Sequence, residues 1–476
     1  MDDGPRARAR TGTSALRTGS RSSLLREPHA ERVTVPGEEA YDEERSGFQT
    51  AYRHRPDLIV RARGEDDVRA AVEYAAAHAL PLAVQATGHG LTTPARGGVL
   101  VSTRRTGGVR VDAGARSAWI GAGVRWGEVV REAARFGLAP LSGSGPGVGA
   151  VSYTLNGGVG LLARQYGYAA DHVRAIDVVT ADARLRHVTP DRDEDLFWAM
   201  RGGGGGFGVV TGMEIGLVPV ERFYGGRLVF GGEHAEDVLE CWRAWTAGVP
   251  DELTSSVTVL AYPDLPVLPD HLRGRYVAQI QVVYNGTEGE GERLTEPLRA
   301  AGPRLSETLR MMPYADSASV YDEPEQPHAY HGTNVLLGER LPDSAALRGV
   351  LRLTGPDAPG MTVLSLRHMG GALAREPSVA NAVGNRDAGH LMNVLSVTED
   401  ADPAVLGALH EEVFAAVAPW TVGSNLNFRY GRAVRAVPGA ARAVRDPEGQ
   451  RRLAGIKALV DPEDLFRFHQ GAQDEP

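Results

Sequence analysis

The chain has 476 residues, 42% of them hydrophobic, a single cysteine and a formal net charge of −9. That length predicts two domains with a sizeable core, and the acidic balance argues against a general nucleic-acid or anionic-membrane binder. Cys241 alone allows no disulfide within this sequence and no cysteine-ligated metal.

In chain order, residues 1–40 are rich in Arg, Ser and Thr and poor in apolar residues, which predicts a disordered or loosely docked arm. No apolar stretch follows that arm as a secretory signal requires, and no run is long enough to span a bilayer; a cytoplasmic protein is the expectation. Apolar residues at three- and four-residue spacing predict a helix over 66–78 between strands at 56–61 and 82–86. A hairpin is expected at 109–112 and 117–121, then a helix over 126–136 ended by Gly137. A Gly-rich stretch fills 141–160, and strands follow at 176–181 and 185–188. Composition shifts near 221 towards long apolar alternation, as in 276–284, which reads as a sheet with one covered face; helices at 235–247 and 402–417 would lie over it. This gives a first domain at 41–220, a second at 221–420, and a segment at 421–476 that returns to the first.

The strand at 82–86 ends in Thr87-Gly88-His89-Gly90. A strand followed by a small-residue turn leaves backbone N–H groups free to face a pyrophosphate, and it sets one imidazole at the lip of that cradle. An imidazole there can bond the 8α-methyl carbon of a flavin; equally, it can be a turn histidine with no role. A second loop, Gly145-Pro146-Gly147-Val148-Gly149-Ala150, fits G-x-G-x-x-A, with Asp171 at roughly the distance of a ribose-binding acid. That is the case for an NAD-dependent dehydrogenase, weakened because Asn156-Gly157-Gly158-Val159-Gly160 interrupts any following helix. The run Gly202–Gly206 before Phe207-Gly208 matches such patterns almost by composition alone.

The helix, strand and Gly-His turn, followed by Gly97-Gly98-Val99-Leu100-Val101-Ser102, resemble the PCMH-type FAD-binding domain of the vanillyl-alcohol oxidase class, and more narrowly the berberine bridge enzyme-like oxidases. The likeness continues through Trp119–Val129, through Asp195-Leu196-Phe197-Trp198 to Thr211, and through Asp461–Gln470. It implies an α+β protein: an FAD-binding domain, and a substrate domain whose helix-covered antiparallel sheet roofs the flavin. It further implies FAD contacts from Gln85, Ala86, Thr87, Gly88, His89, Gly90, Ser142, Gly145, Val148, Gly149, Gly157, Gly158, Gly208, Val209 and Asn427. Gly145 stands where bicovalent members carry a cysteine, so a covalent link would run through His89 alone. Val148 occupies the oxygen-gate position, where valine accompanies oxidase behaviour. Tyr153 stands where many members have a histidine near the flavin.

The resemblance breaks at Asn425-Leu426-Asn427-Phe428, where many members carry Tyr-x-Asn-Tyr and use the last tyrosine as base. Phe428 has no proton to exchange. Replacement bases are sought among Tyr153, Tyr430 and the segment holding Arg367-His368, Arg386-Asp387 and His390, with His390 attractive because imidazole titrates near working pH. The spacing of His328 and His331 is too sparse in partners to predict a metal, and no Gly-x-Ser-x-Gly elbow anchors a hydrolase triad. The expected function is an FAD-dependent oxidase passing a hydride from a small organic, secondary-metabolite substrate to the flavin, with O2 as acceptor. The alternative is a flavin-containing non-redox enzyme or ligand binder. The sequence does not speak to oligomeric state.

Overall fold

Three sheets carry the fold of the computed structural model, which describes residues 29–266, 268–399, 401–430 and 444–469. The first is built from runs apolar on both faces: Leu58–Arg61, Val99–Ser102 and Leu82–Gln85 pair in parallel in that order, as strands covered on both sides do. Helix Glu65–Ala77 covers it with Val68, Ala71, Val72 and Ala75, one stripe at three- and four-residue spacing, and carries three acidic residues in its first turn. The edge of this sheet corrects one expectation. Val33–Thr34 pairs antiparallel with Ile59 and Val60, and helix Glu39–Arg45 follows it, so the later part of the 1–40 arm is built into the domain; residues 1–28 lie outside the described residues. Val33 supplies the anchor, being buried in the same core as Val60 and Val68.

The second sheet has the order Val109–Asp112, Ser117–Gly121, Val209–Gly216, Val173–Val179, Leu185–Val188, all antiparallel. Its buried face packs on helix Trp126–Ala134 and on Phe197, Trp198 and Met200 of helix Glu194–Met200. Asp461, at the end of helix Pro447–Val460, accepts the backbone N–H of Leu465 and Phe466, and Leu465 in turn accepts from the Leu82 N–H at 2.8 Å. The C-terminal segment thereby closes onto the strand that leads to His89.

The third sheet is antiparallel and nine-stranded. Its main path runs Arg304–Glu307, Arg222–Gly231, Tyr276–Tyr284, Leu253–Ala261, Thr362–His368, His390–Val397, Tyr330–Leu337, Thr421–Gly423, with Arg310–Pro313 paired beside Arg222–Gly231. Helices Ala235–Thr246, Ser344–Leu353 and Pro403–Ala416 cover one face around Trp242. The last two start on Asp343 and Asp402, whose carboxylates cap the first amides. No described helix is long and apolar enough to cross a membrane.

Candidate active site

One cavity of about 1870 Å³ lies between the two glycine loops and the uncovered face of the nine-stranded sheet. The turn after Leu82–Gln85 forms part of its wall. Gly88 has φ +72°, and a Cβ there would lie 2.6 Å from the Gly47 Cα, so only glycine lets these two segments meet. Gln85 ties the turn down by donating to the carbonyls of Glu44 and Ser46, both at 3.2 Å. Among the described residues no acceptor takes the backbone N–H of Gly88, His89 or Gly90, which is the donor set a diphosphate requires.

His89 is held on three sides. Its ring stacks on Phe48 at 4.0 Å, Nδ1 lies 2.8 Å from Thr87 Oγ1, and its carbonyl accepts from the Tyr330 hydroxyl at 2.7 Å. Nε2 is left facing the backbone of Gly147, where a Cβ would come within 3.6 Å. Burial, with the charges of Arg125 and His328 nearby, pushes the imidazole down to about 4, so it is neutral and nucleophilic near neutral pH. Gly145, Gly147 and Val148 line the same wall, as do Ala86, Thr87 and Gly208. These residues fit a flavin dinucleotide, because two close glycine-rich loops flank a neutral, oriented imidazole.

Several expected contacts sit behind this wall. Ser142 corrects the sequence reading: its hydroxyl pairs with the Tyr314 hydroxyl at 3.0 Å, and it does not line the cavity. Val209 is buried with Val179 in the core under the first sheet. Gly149 caps helix Ala150–Leu155, while Gly157 and Gly158 lie one layer out. Gly158, at φ +78°, packs so closely that a Cβ would lie 2.5 Å from the Tyr153 ring. Asn427 binds this layer together, accepting from the Gly158 N–H at 2.8 Å and donating to the Tyr153 carbonyl at 2.9 Å.

The sheet decides the remaining candidates by its two-residue alternation. Along Thr362–His368, Val363, Ser365 and Arg367 face the cavity, and Leu364 and Leu366 face the helices. Along His390–Val397, Leu391, Asn393 and Leu395 face the cavity, and Met392 and Val394 the helices. His390 is therefore on the wrong side, which corrects its candidacy as base: it packs 5.9 Å from the Trp242 ring and 5.5 Å from His368, and burial pushes it down to about 4. Its neighbour His368 meets the Arg164 guanidinium at 3.0 Å. Arg386 is spent in a buried pair with Asp171 at 2.6 Å, and that pair also removes the ribose-acid role of Asp171. The Gly145–Ala150 loop leads into a six-residue helix, not the strand–loop–helix unit of a dinucleotide fold, so the dehydrogenase reading lacks its architecture. His328 lines the cavity while His331 packs on His410 under the helices, so the two do not converge.

Tyr153 reaches the cavity with its hydroxyl buried and unpartnered, and burial raises its pKa well above the usual phenol range. Burial raises Tyr430 and Tyr330 likewise. These phenols keep their protons near neutral pH. The Phe428 ring lines the cavity beside Tyr430, centroids 6.5 Å apart. Sequence reasoning passed over the polar face formed by Gln279, Gln281, Thr258, Ser365 and Asn393. Its signal was present: single polar residues every second position between apolar ones.

The sequence profile described as FAD binding domain matches residues 56–189. An uncharacterized FAD-linked oxidoreductase, YgaK, of Bacillus subtilis is 26% identical over 92% of this chain and 96% of its own. The (R)-6-hydroxynicotine oxidase of Paenarthrobacter nicotinovorans is 31% identical over 61% of this chain and 63% of its own. The crystal structure of 6-hydroxy-D-nicotine oxidase from Arthrobacter nicotinovorans superposes with a TM-score of 0.78 at 24% identity, over 93% of this chain and 98% of that one.

Proposed function

We propose that this chain, an FAD-linked oxidoreductase similar in fold to the PCMH-type, berberine bridge enzyme-like oxidases, is an oxidase of a small organic, secondary-metabolite substrate, with FAD attached through His89 and O2 as acceptor. The observation that carries this reading is the shared cavity: a neutral imidazole and two glycine loops on one wall, a mixed polar and apolar sheet face on the other. FAD, when bound, supplies a two-electron acceptor for hydride that O2 can reoxidise. The substrate carbon loses a hydride and its heteroatom a proton; the two hydrogens and both electrons end on O2, which leaves as H2O2, and the carbon gains a double bond to the heteroatom.

The protein's residues bind, orient and shield. The amides of Gly88, His89 and Gly90 serve the diphosphate, and His89 Nε2 is the free nitrogen for attachment because Thr87 occupies Nδ1. Tyr153 offers a hydroxyl as donor, not as base, because burial holds its proton. With Phe428 in the place of the family's tyrosine and His390 behind the sheet, neither of those two positions supplies a base to take the substrate proton. The reading therefore favours substrates that ionise themselves, such as acidic phenols or enols. Soluble partners suffice: substrate, O2 and no nucleic acid or membrane, in a cytoplasmic setting.

Anaerobic mixing with a panel of acidic phenols and enols tests this directly. One of them should bleach the flavin band, and admitting air should restore it with one H2O2 per substrate consumed. Val148 lies against Gly145, where a Cβ would come within 3.1 Å of its Cγ2; Val148→Leu should slow reoxidation several-fold while sparing bleaching. Turnover of a substrate to a rearranged product with no bleaching and no H2O2 would replace the oxidase reading by a non-redox one.

A further inference from the structure

The cavity face of the nine-stranded sheet carries a cation that, among the described residues, no carboxylate pairs. The strand registers align its polar residues in two rows. Gln281, Ser256 and Arg367 are cross-strand partners in one row; Gln279, Thr258, Ser365 and Asn393 are partners in the next. The half nearer Tyr276–Tyr284 is satisfied from within. Ser256 Oγ lies 2.9 Å from Gln281 Oε1 and 2.7 Å from the Tyr321 hydroxyl, and Gln279 donates to the Tyr262 hydroxyl at 2.9 Å.

The other half is not. Arg367 is only 6% exposed and lines the cavity, flanked by the Tyr321 ring at 5.2 Å and the Phe428 ring at 5.3 Å. Among the described residues it makes no ion pair or hydrogen bond. In the adjoining row, Asn393 Oδ1 is buried with no donor. Flanking rings soften the burial of a guanidinium, but its five N–H groups stay in one plane and still need acceptors. Buried charges are ordinarily paired, and a planar fork of donors matches a two-oxygen or single-oxygen anion better than any neutral group. The electrostatic reach of Arg367 covers the site, since its charge acts on both Tyr153 and Tyr430. The carboxylate that also acts on both, Glu323, is exposed and accepts from Ser144 at 2.5 Å. The side chain opposite Arg367 that differs from the family's pattern, Phe428, brings no oxygen to compete for it.

We infer that Arg367 is the seat of a substrate oxyanion, a carboxylate or an ionised phenol or enol, with Asn393 accepting a neighbouring hydroxyl. The inference rests on reading this cavity as the flavin and substrate site, and it names the substrate class: an anion, bound charge to charge, where relatives with a tyrosine at position 428 have a base. Arg367 is here a binding residue and does not exchange the proton itself.

The test uses the flavin-loaded protein and four probes: benzoate and 4-nitrophenolate as anions, benzamide and 4-nitroanisole as their neutral counterparts. Binding is read by equilibrium dialysis and by perturbation of the flavin band, for the wild type, Arg367→Met and Arg367→Lys, each checked for flavin content. The wild type should bind at least one anion ten-fold or more tighter than its neutral counterpart. Arg367→Met should lose that preference and Arg367→Lys should keep part of it; should the methionine variant not fold, the lysine variant decides by whether its anion affinity drops. Which anion binds separates carboxylate from phenolate. Equal anion binding by wild type and a flavin-replete Arg367→Met, or a wild type that binds neither anion, overturns the inference. A wild type that takes up no flavin but shows Arg367-dependent anion binding in dialysis instead overturns the flavin reading, and the two failures are thus distinct.

Discussion

Along Thr362–His368, Leu364 and Leu366 pack under helices around Trp242, while Ser365 and Arg367 look into the cavity. The same alternation runs through Leu253–Ala261, Tyr276–Tyr284 and His390–Val397, so one set of strands builds two surfaces of opposite character. The helix-covered face is a packed core that ties in His410, between the hydroxyls of Thr333 at 2.9 Å and Ser396 at 3.0 Å, and holds both ring nitrogens of His390 away from water and, among the described residues, from any hydrogen-bond partner. The cavity face keeps polar groups open, at Arg367 and at Asn393 Oδ1. A residue's role here follows from the parity of its position more than from its chemistry, which is why His390 lies behind the sheet while Asn393, three residues on, faces the cavity.

If the two faces divide stability from function, substitutions should separate them. Leu366→Ala, under the helices, should lower unfolding stability by about 2–5 kcal/mol through the cavity it leaves, with flavin content per folded molecule unchanged. Ser365→Ala, one residue away on the open face, should cost less than about 0.5 kcal/mol. Denaturant unfolding of the pair checks this, and similar losses for both would erase the distinction.

A second comparison uses pH. Burial pushes His390 down to about 4, His368 to about 2 and His410 to about 3, all on the helix-covered face. A depressed imidazole contributes stability that is fully present above the unfolded value near 6.5 and is lost as pH falls towards the folded one, because the unfolded chain takes up the proton first. Each such histidine should cost roughly 1–2 kcal/mol between pH 7 and pH 5. His390→Phe should remove one share, so its unfolding midpoint should fall less than the wild type's over that interval. Flavin reduction by substrate should stay at the wild-type rate. A variant that falls as steeply, or that loses an imidazole-like limb from its pH–rate profile, would return His390 to the chemistry.

The sequence was most legible where pattern and propensity agree. The hairpin strands Val109–Asp112 and Ser117–Gly121, and the strand Tyr276–Tyr284, fall where alternation and turns place them. The place of His89 on the cavity wall was legible because a strand, a small-residue turn and an imidazole coincide. Ser142 was not, because its partner Tyr314 is 172 residues away. Val33–Thr34 was missed because two residues carry no period, and only their pairing with Ile59 and Val60 fixes them. The polar rows were half legible: Arg367 was named, but alongside His368, from which a strand separates it by the full thickness of the sheet. Counting by twos from Leu364 would have parted them.

The most direct measurement is the intact mass and visible spectrum of denatured wild-type protein beside His89→Ala. The wild type should carry one FAD, less two hydrogens, through acid precipitation and stay yellow; His89→Ala should have the bare chain mass and release its flavin to the supernatant. A wild type of bare chain mass, whose colour all leaves on precipitation, would contradict the attachment at His89.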